Sequence, residues 1–122
     1  MAEQRVIIEM GMGNDLHGMD YTKAALRAIE DAMRHSSLPI FETLSLEFDQ
    51  MRVAVTVAVQ DPDQVDRQQL LQKMPRGRAE VTVVKGGLNV AAPGADTIVV
   101  AQASIEAFLP VQTGWRVTDR PA

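Results

Sequence analysis

Residues 51–60, MRVAVTVAVQ, alternate without a break. Met51, Val53, Val55, Val57 and Val59 fall on one face of a strand, and Arg52, Ala54, Thr56, Ala58 and Gln60 on the other. So strict a period of two reads as a strand with one buried face. The opposite face is small and polar, as expected where a sheet meets water or a second sheet. The rest of the chain must therefore supply a sheet around this strand and a layer to cover one side of it.

Residues 5–10, RVIIEM, begin as an unbroken aliphatic run, which suits a strand covered on both faces or an interior strand. From Asp20 to about His35 the spacing is helical. Leu26, Ile29 and Met33 form a stripe widened by Ala25 and Ala32, with Lys23, Arg27, Glu30, Asp31 and Arg34 on the other side. Asp20 reads as an N-cap, His35 sits at the C-terminal dipole, and Ser36, Ser37 and Pro39 end the helix. Arg27 with Asp31, and Glu30 with Arg34, are opposite charges four apart and are expected to pair along it.

Residues 41–48 set Leu44, Leu46 and Phe48 against Thr43, Ser45 and Glu47, a strand joined to the next through an Asp49-Gln50 hairpin. Asp61-Pro62-Asp63 opens a second helix with a thin apolar face of Val65, Leu70, Leu71 and Met74, ending at Pro75. RAEVTVVK, residues 78–85, is a strand closed by Gly86-Gly87. A loop with Pro93 and Gly94 leads to a last strand, TIVVAQASIEAFL. The order β-α-β-β-α-β-β implies an α+β domain over residues 1–110, with a single mixed sheet and two helices on one face. Residues 111–122, with Trp115, show no period and read as a tail.

Composition narrows the function classes. The net charge is −4, and the local basic cluster of Lys73, Arg76 and Arg78 surrounds a turn, so nucleic acid is not an expected partner. Without cysteine there is no disulfide, thiolate metal site or cysteine nucleophile, which suits a reducing compartment. No secretory pattern opens the chain and no apolar run nears the ~18 residues of a membrane helix, so a soluble cytoplasmic protein is expected.

The densest chemistry lies in EMGMGNDLHGMD, residues 9–20, read as a glycine-rich loop feeding the first helix. Dinucleotide binding fails in detail, because Leu16 stands where a third glycine is needed. No Gly-Lys-Ser/Thr follows, and Glu9, Asp15 and Asp20 repel a phosphate, so no nucleotide is expected.

Three readings stay open. Glu9, Asp15 and His17 combine carboxylate with imidazole, a set that suits a divalent metal ion. Alternatively His17 and Asp15 form an acid–base pair. Gly11, Gly13 and Gly18 would then admit a ligand to the backbone, while Asp20, Thr22, Lys23 and the helix N-terminus hold an anionic group. Lys85, Gly86 and Gly87 form a second glycine site, with Lys85 facing the acids of the first. On the third reading the glycines only supply backbone freedom, Asp20 only caps, and His17 satisfies a carbonyl.

IIEMGMGNDLHGMDYTKAALRAIEDAM, SSLP, VD and VVKGGLNV together resemble a small family of bacterial conserved hypothetical proteins named after a Lin locus tag, zero-five-one-two, over roughly residues 5 to 107. The most specific part is G-x-G-x-D-L-H-G-x-D-x-T-K-A. The resemblance implies no activity. The element order is also similar to the chorismate-mutase-like topology of the YjgF/RidA family and of cyanuric acid hydrolase domains. It implies units packed around a threefold axis with sites in the clefts between them, although neither RidA's arginine nor the hydrolases' Ser-Gly-Gly motif is found here. Two functions follow as expectations. One is a small-molecule enzyme or ligand-binding protein, acting by proton transfer, hydrolysis or lyase chemistry on a small polar or anionic metabolite at the boundaries of a homotrimer. The other is a non-catalytic oligomeric protein whose residues 9–20 brace the assembly.

Overall fold

A computed structural model describes residues 2–35, 50–74 and 78–111. The expected strand at 41–48 with Asp49, the stops at Ser36, Ser37, Pro39 and Pro75, Arg76, and the tail with Trp115 lie outside those residues. In chain order the elements are β1 (Glu3–Asp15), α1 (Tyr21–Arg34), β2 (Arg52–Val59), a 3-10 turn (Pro62–Gln64), α2 (Arg67–Lys73), β3 (Arg78–Lys85), β4 (Leu88–Val90) and β5 (Ile98–Pro110).

They form one mixed sheet in the order β1-β5-β2-β3, with β4 added beside β5. Central β5 runs antiparallel to β1, β2 and β4, while β2 and β3 are parallel and joined through α2. Strands β1, β2 and β3 therefore share a direction, and their carboxyl ends lie at one end of the sheet.

The alternation of β2 sorts the faces. Val53, Val55, Val57 and Val59 of β2 and Val99, Ala101, Ala103, Ile105, Ala107 and Leu109 of β5 are buried beneath the helices. Leu70 of α2 and Ile29 of α1 complete that core at 0% exposure. At one end of the opposite face Arg52 ties the strands together. It pairs with Glu3 of β1 and Glu80 of β3, which hold its guanidinium above the ordinary Arg range, and it lies 4.3 Å from the ring centre of Phe108 of β5.

Four local expectations are corrected. First, residues 9–15 are not a loop but the second half of β1, paired with β5 from Glu9↔Ile105 to Asp15↔Val99. The alternation of β1 turns Gly11 and Gly13 towards α1 and Met10 and Met12 away. A Cβ on Gly11 would lie 2.4 Å from the Ala28 carbonyl oxygen and the Ala32 nitrogen. One on Gly13 would lie 2.3 Å from the Ala28 nitrogen and 2.4 Å from the Ala24 carbonyl oxygen. The buried stripe of α1 is accordingly built on small residues, Ala24, Ala25, Ala28 and Ala32 with Ile29, while Leu26 and Met33 pack at its margins.

Second, α2 begins at Arg67 rather than after Pro62. Val65 is extended at φ −89°, ψ 129°, and the Asp66 side chain accepts from the Gln68 and Gln69 amides as the true N-cap. Third, the charges of α1 choose other partners. Asp31 pairs with Arg34 and His35, and Lys73 of α2 reaches Glu30 at 2.6 Å, holding the Glu30 carboxyl below its usual range. Fourth, the loop after Gly86-Gly87 contains β4. Gly87, at φ +63°, carries the chain over the end of β2 to pair Leu88 with Val100.

A Cβ on Gly87 would lie 2.3 Å from the Val100 carbonyl oxygen. Gly94 has a comparable φ of +78° but open space around it. Gly94→Ala should lose only the left-handed backbone cost, about 1–2 kcal/mol. Gly87→Ala should add overpacking and lose about 2–4 kcal/mol in urea unfolding. Equal losses would mean that the crossing over β2 is not tight.

Candidate functional site

The carboxyl ends of β1, β2 and β3 are where an open α/β sheet usually offers a ligand site. The two glycine stretches singled out in the sequence meet here. Asp15 ends β1, Lys85 ends β3, and α1 starts between them in space. Asn89 of β4 donates to the Tyr21 hydroxyl at 2.7 Å, joining the second stretch to the first turn of α1.

Asp15 is the centre of the cluster and only 2% exposed. One carboxylate oxygen accepts the Asp20 amide at 2.8 Å, and the other faces Lys23 Nζ at 3.7 Å and Arg27 at 3.9 Å. Between Asp15 and Asp20 the chain reverses through Gly18 at φ +90° and Met19 at φ 49°. The Gly18 amide donates to Asp96 of the β4–β5 loop at 2.8 Å. Asp20 caps α1 by accepting the Lys23 amide at 3.0 Å, as its position foretold.

Thr22 is buried and used twice. Its hydroxyl accepts the Asp66 amide at 2.9 Å and donates to the Gln64 carbonyl at 3.5 Å, fastening α1 to the cap of α2. The Gly86 amide donates to the Val59 carbonyl, and Gln60 donates to the carbonyls of Gly86 and Gly87 at 3.0 and 3.2 Å.

Other expected site residues stand apart. His17 is exposed and makes no hydrogen bond or ion pair with another described residue, Asp15 included. Lys85 is exposed and likewise free among the described residues. Glu9 is half-buried on the helix side of β1, six strand residues before Asp15, or about 20 Å away. Glu9, Asp15 and His17 are thus not gathered at a point. Among the described residues no group of three or more acidic or histidine side chains is placed to share a metal ion. Gly11 and Gly13 face α1 rather than an open cradle.

The structure adds residues that spacing did not mark. A groove of about 340 Å³ runs along the outer edge of β1, lined by Met12, Gly13, Asn14, Leu16, Arg27, Glu30 and Arg34. Beside it α1 covers backbone groups of β1 that no strand among the described residues pairs. Asp31 accepts the Met12 amide at 3.0 Å, and Arg27 donates to the Asn14 carbonyl at 2.6 Å. Both side chains are visible in the sequence as helix charges, but their reach to β1 depends on the glycine contact. Asp96 and Asn89 carried no signal beyond lying in polar loops.

The chain belongs to the Lin0512_fam family of conserved hypothetical proteins, which it matches over residues 5–107. It is similar to an FtsZ-like protein of unknown function from Nostoc punctiforme, known from a crystal structure. Identity is 37% and the TM-score 0.77, over 89% of this chain and 98% of that one. A comparison with curated proteins finds no match. No helix among the described residues is long and apolar enough to cross a membrane.

The contact between Asp31 and the β1 edge sets a pH dependence. The Met12 amide, opposed by partial burial and aided by His35 and Arg34, holds the Asp31 carboxyl below the ordinary Asp range. A depressed folded pKa contributes stability that is complete above the unfolded value and is lost as pH falls through the folded one. Urea midpoints of the wild type should therefore fall more steeply below about pH 4 than those of Asp31→Asn. Parallel profiles would show that the contact does not couple to folding.

Proposed function

We propose that this protein is a non-catalytic homo-oligomeric subunit in which residues 15–20 brace the structure. The observation that carries this reading is the state of Asp15. A general base or metal ligand needs a free lone pair aimed at its target. Asp15 instead gives one oxygen to the Asp20 amide and turns the other towards two cations. Asp20, Thr22, Gln60, Asn89 and Asp96 are likewise committed to holding one loop to the next. Side chains so arranged fix loop positions, and a subunit that must present a defined surface needs loops that do not move. The partner is a further copy of this chain. Three copies are expected, since a sheet that the described residues cover on one face only, with small outward residues at its centre, suits threefold packing.

One observation favours a second reading, a small-molecule enzyme at subunit boundaries. His17 is exposed and without a partner among the described residues, beside the carboxyl ends of the parallel strands. Its imidazole is free to exchange a proton with a small polar or anionic metabolite held between copies.

Sedimentation of the full chain at micromolar concentration should give three times the 13.4 kDa chain mass. Asp15→Ala leaves the Asp20 amide and two cations without their acceptor and should lose about 2–3 kcal/mol of stability. His17→Ala should stay within about 0.5 kcal/mol of the wild type and keep its mass. A monomeric wild type would contradict the assembly. Turnover in a metabolite screen that His17→Ala abolishes, with the fold intact, would replace the non-catalytic reading with the second.

A further inference from the structure

The face of the sheet turned away from the helices has no cover in the chain among the described residues. Its relief is uneven. Along β1, Met10 and Met12 stand out at 65% and 56% exposure. Across the middle, Ala54, Thr56 and Ala58 of β2 and Ser104 of β5 are short, and a depression of about 290 Å³ lies against Met10, Thr56, Ala58, Gln102 and Ser104. Beyond it, Leu88 of β4 is 61% exposed, with Val84 and Val90 beside it. A ridge, a trough and a second apolar rim thus share one surface. Exposed apolar side chains gathered on one face in this way mark an interaction site rather than ordinary scatter.

We infer that this face joins copies of the chain, the methionine ridge of β1 in one copy entering the trough beside Thr56 and Ser104 of the next. The inference rests on the assembly reading above and assigns the contact to a surface. Size permits it. Four strands at about 4.8 Å and eight residues at about 3.3 Å give a flat area of roughly 500 Å². Side-chain relief carries the accessible area towards the roughly 800 Å² that each partner gives to a standard interface.

Charge favours a second copy over a foreign partner. At the far end of the face Arg5 pairs with Glu106, and Arg52 with Glu3 and Glu80, all within the chain. A charged partner finds these groups already spent, whereas two copies meeting there bring no uncompensated clash between them. The relief itself is complementary, because the ridge and the trough belong to the same chain. A head-to-tail contact of ridge on trough gives a ring when the rotation between copies closes, and three copies is the smallest such ring beyond a two-fold pair.

The test uses a charge exchange across the contact. A ridge variant, Met10→Glu with Met12→Glu, and a trough variant, Thr56→Lys, are made in the full chain and checked for folding by circular dichroism. Ser104→Lys replaces Thr56→Lys if the latter unfolds. Each variant alone should sediment as a monomer. A single chain that carries both sets of substitutions should reassociate, because glutamate then meets lysine at every contact of the ring. Wild-type mass in both variants alone would overturn this face while leaving the assembly reading intact. A folded chain with both sets of substitutions that stays monomeric would overturn the ridge-and-trough pairing. A monomeric wild type would overturn both.

Discussion

The structure depends on how closely α1 lies on β1. Gly11 and Gly13 remove two side chains from the strand at the places where the helix presents Ala24, Ala28 and Ala32. Backbone then meets backbone across the contact, closer than any Cβ would allow. That distance decides what the longer residues of α1 can do. Arg27 reaches the Asn14 carbonyl and Asp31 reaches the Met12 amide, so side chains of α1 close the edge that β1 presents among the described residues. It also brings the first turn of α1 against Asp15, where the Asp20 amide completes the reversal of the chain.

The same alternation has a consequence on the far side. For Gly11 and Gly13 to face the helix, Met10 and Met12 must face outward, since successive strand residues point to opposite faces. Intramolecular packing and the proposed contact between copies are thus coupled through one tetrapeptide, MGMG. A change that slipped β1 by one residue would lose both at once. The loops at the carboxyl ends of the strands add rigidity to this frame. Their polar groups bond to each other, leaving His17 and Lys85 as the free ionisable groups of that cluster among the described residues.

The sheet, the two helices and the Asp20 cap were legible because each has a local physical cause: period two, period 3.6 with one apolar stripe, and a carboxylate before a helix. The second half of β1 was not read as strand, because glycine, asparagine and aspartate are depleted in strands and together mimic a loop. Yet the signal was present. Glycine at alternate positions inside a strand marks close backbone approach, and the methionines between them hold the period. Asp63 and Pro62 resemble a helix start, but Asp66 caps better because its side chain reaches the amides of both Gln68 and Gln69. The ion pairs of α1 were misassigned because spacing along one helix says nothing about a strand or second helix beside it. At the candidate site the cluster was located, but Glu9 was grouped with Asp15 and His17 on sequence distance, which an extended strand stretches to about 20 Å.

The most direct measurement is the unfolding free energy of Gly13→Ala in urea. Propensity alone predicts a gain of about 0.5–1 kcal/mol when glycine leaves a strand interior. The contact with α1 predicts the opposite sign, because the new methyl group meets the Ala28 nitrogen and the Ala24 carbonyl oxygen, neither of which belongs to a flexible side chain. We expect a loss of about 3 kcal/mol or more, with the denaturant slope unchanged. A change within about 0.5 kcal/mol, or a gain, would show that strand and helix have room between them and would contradict it.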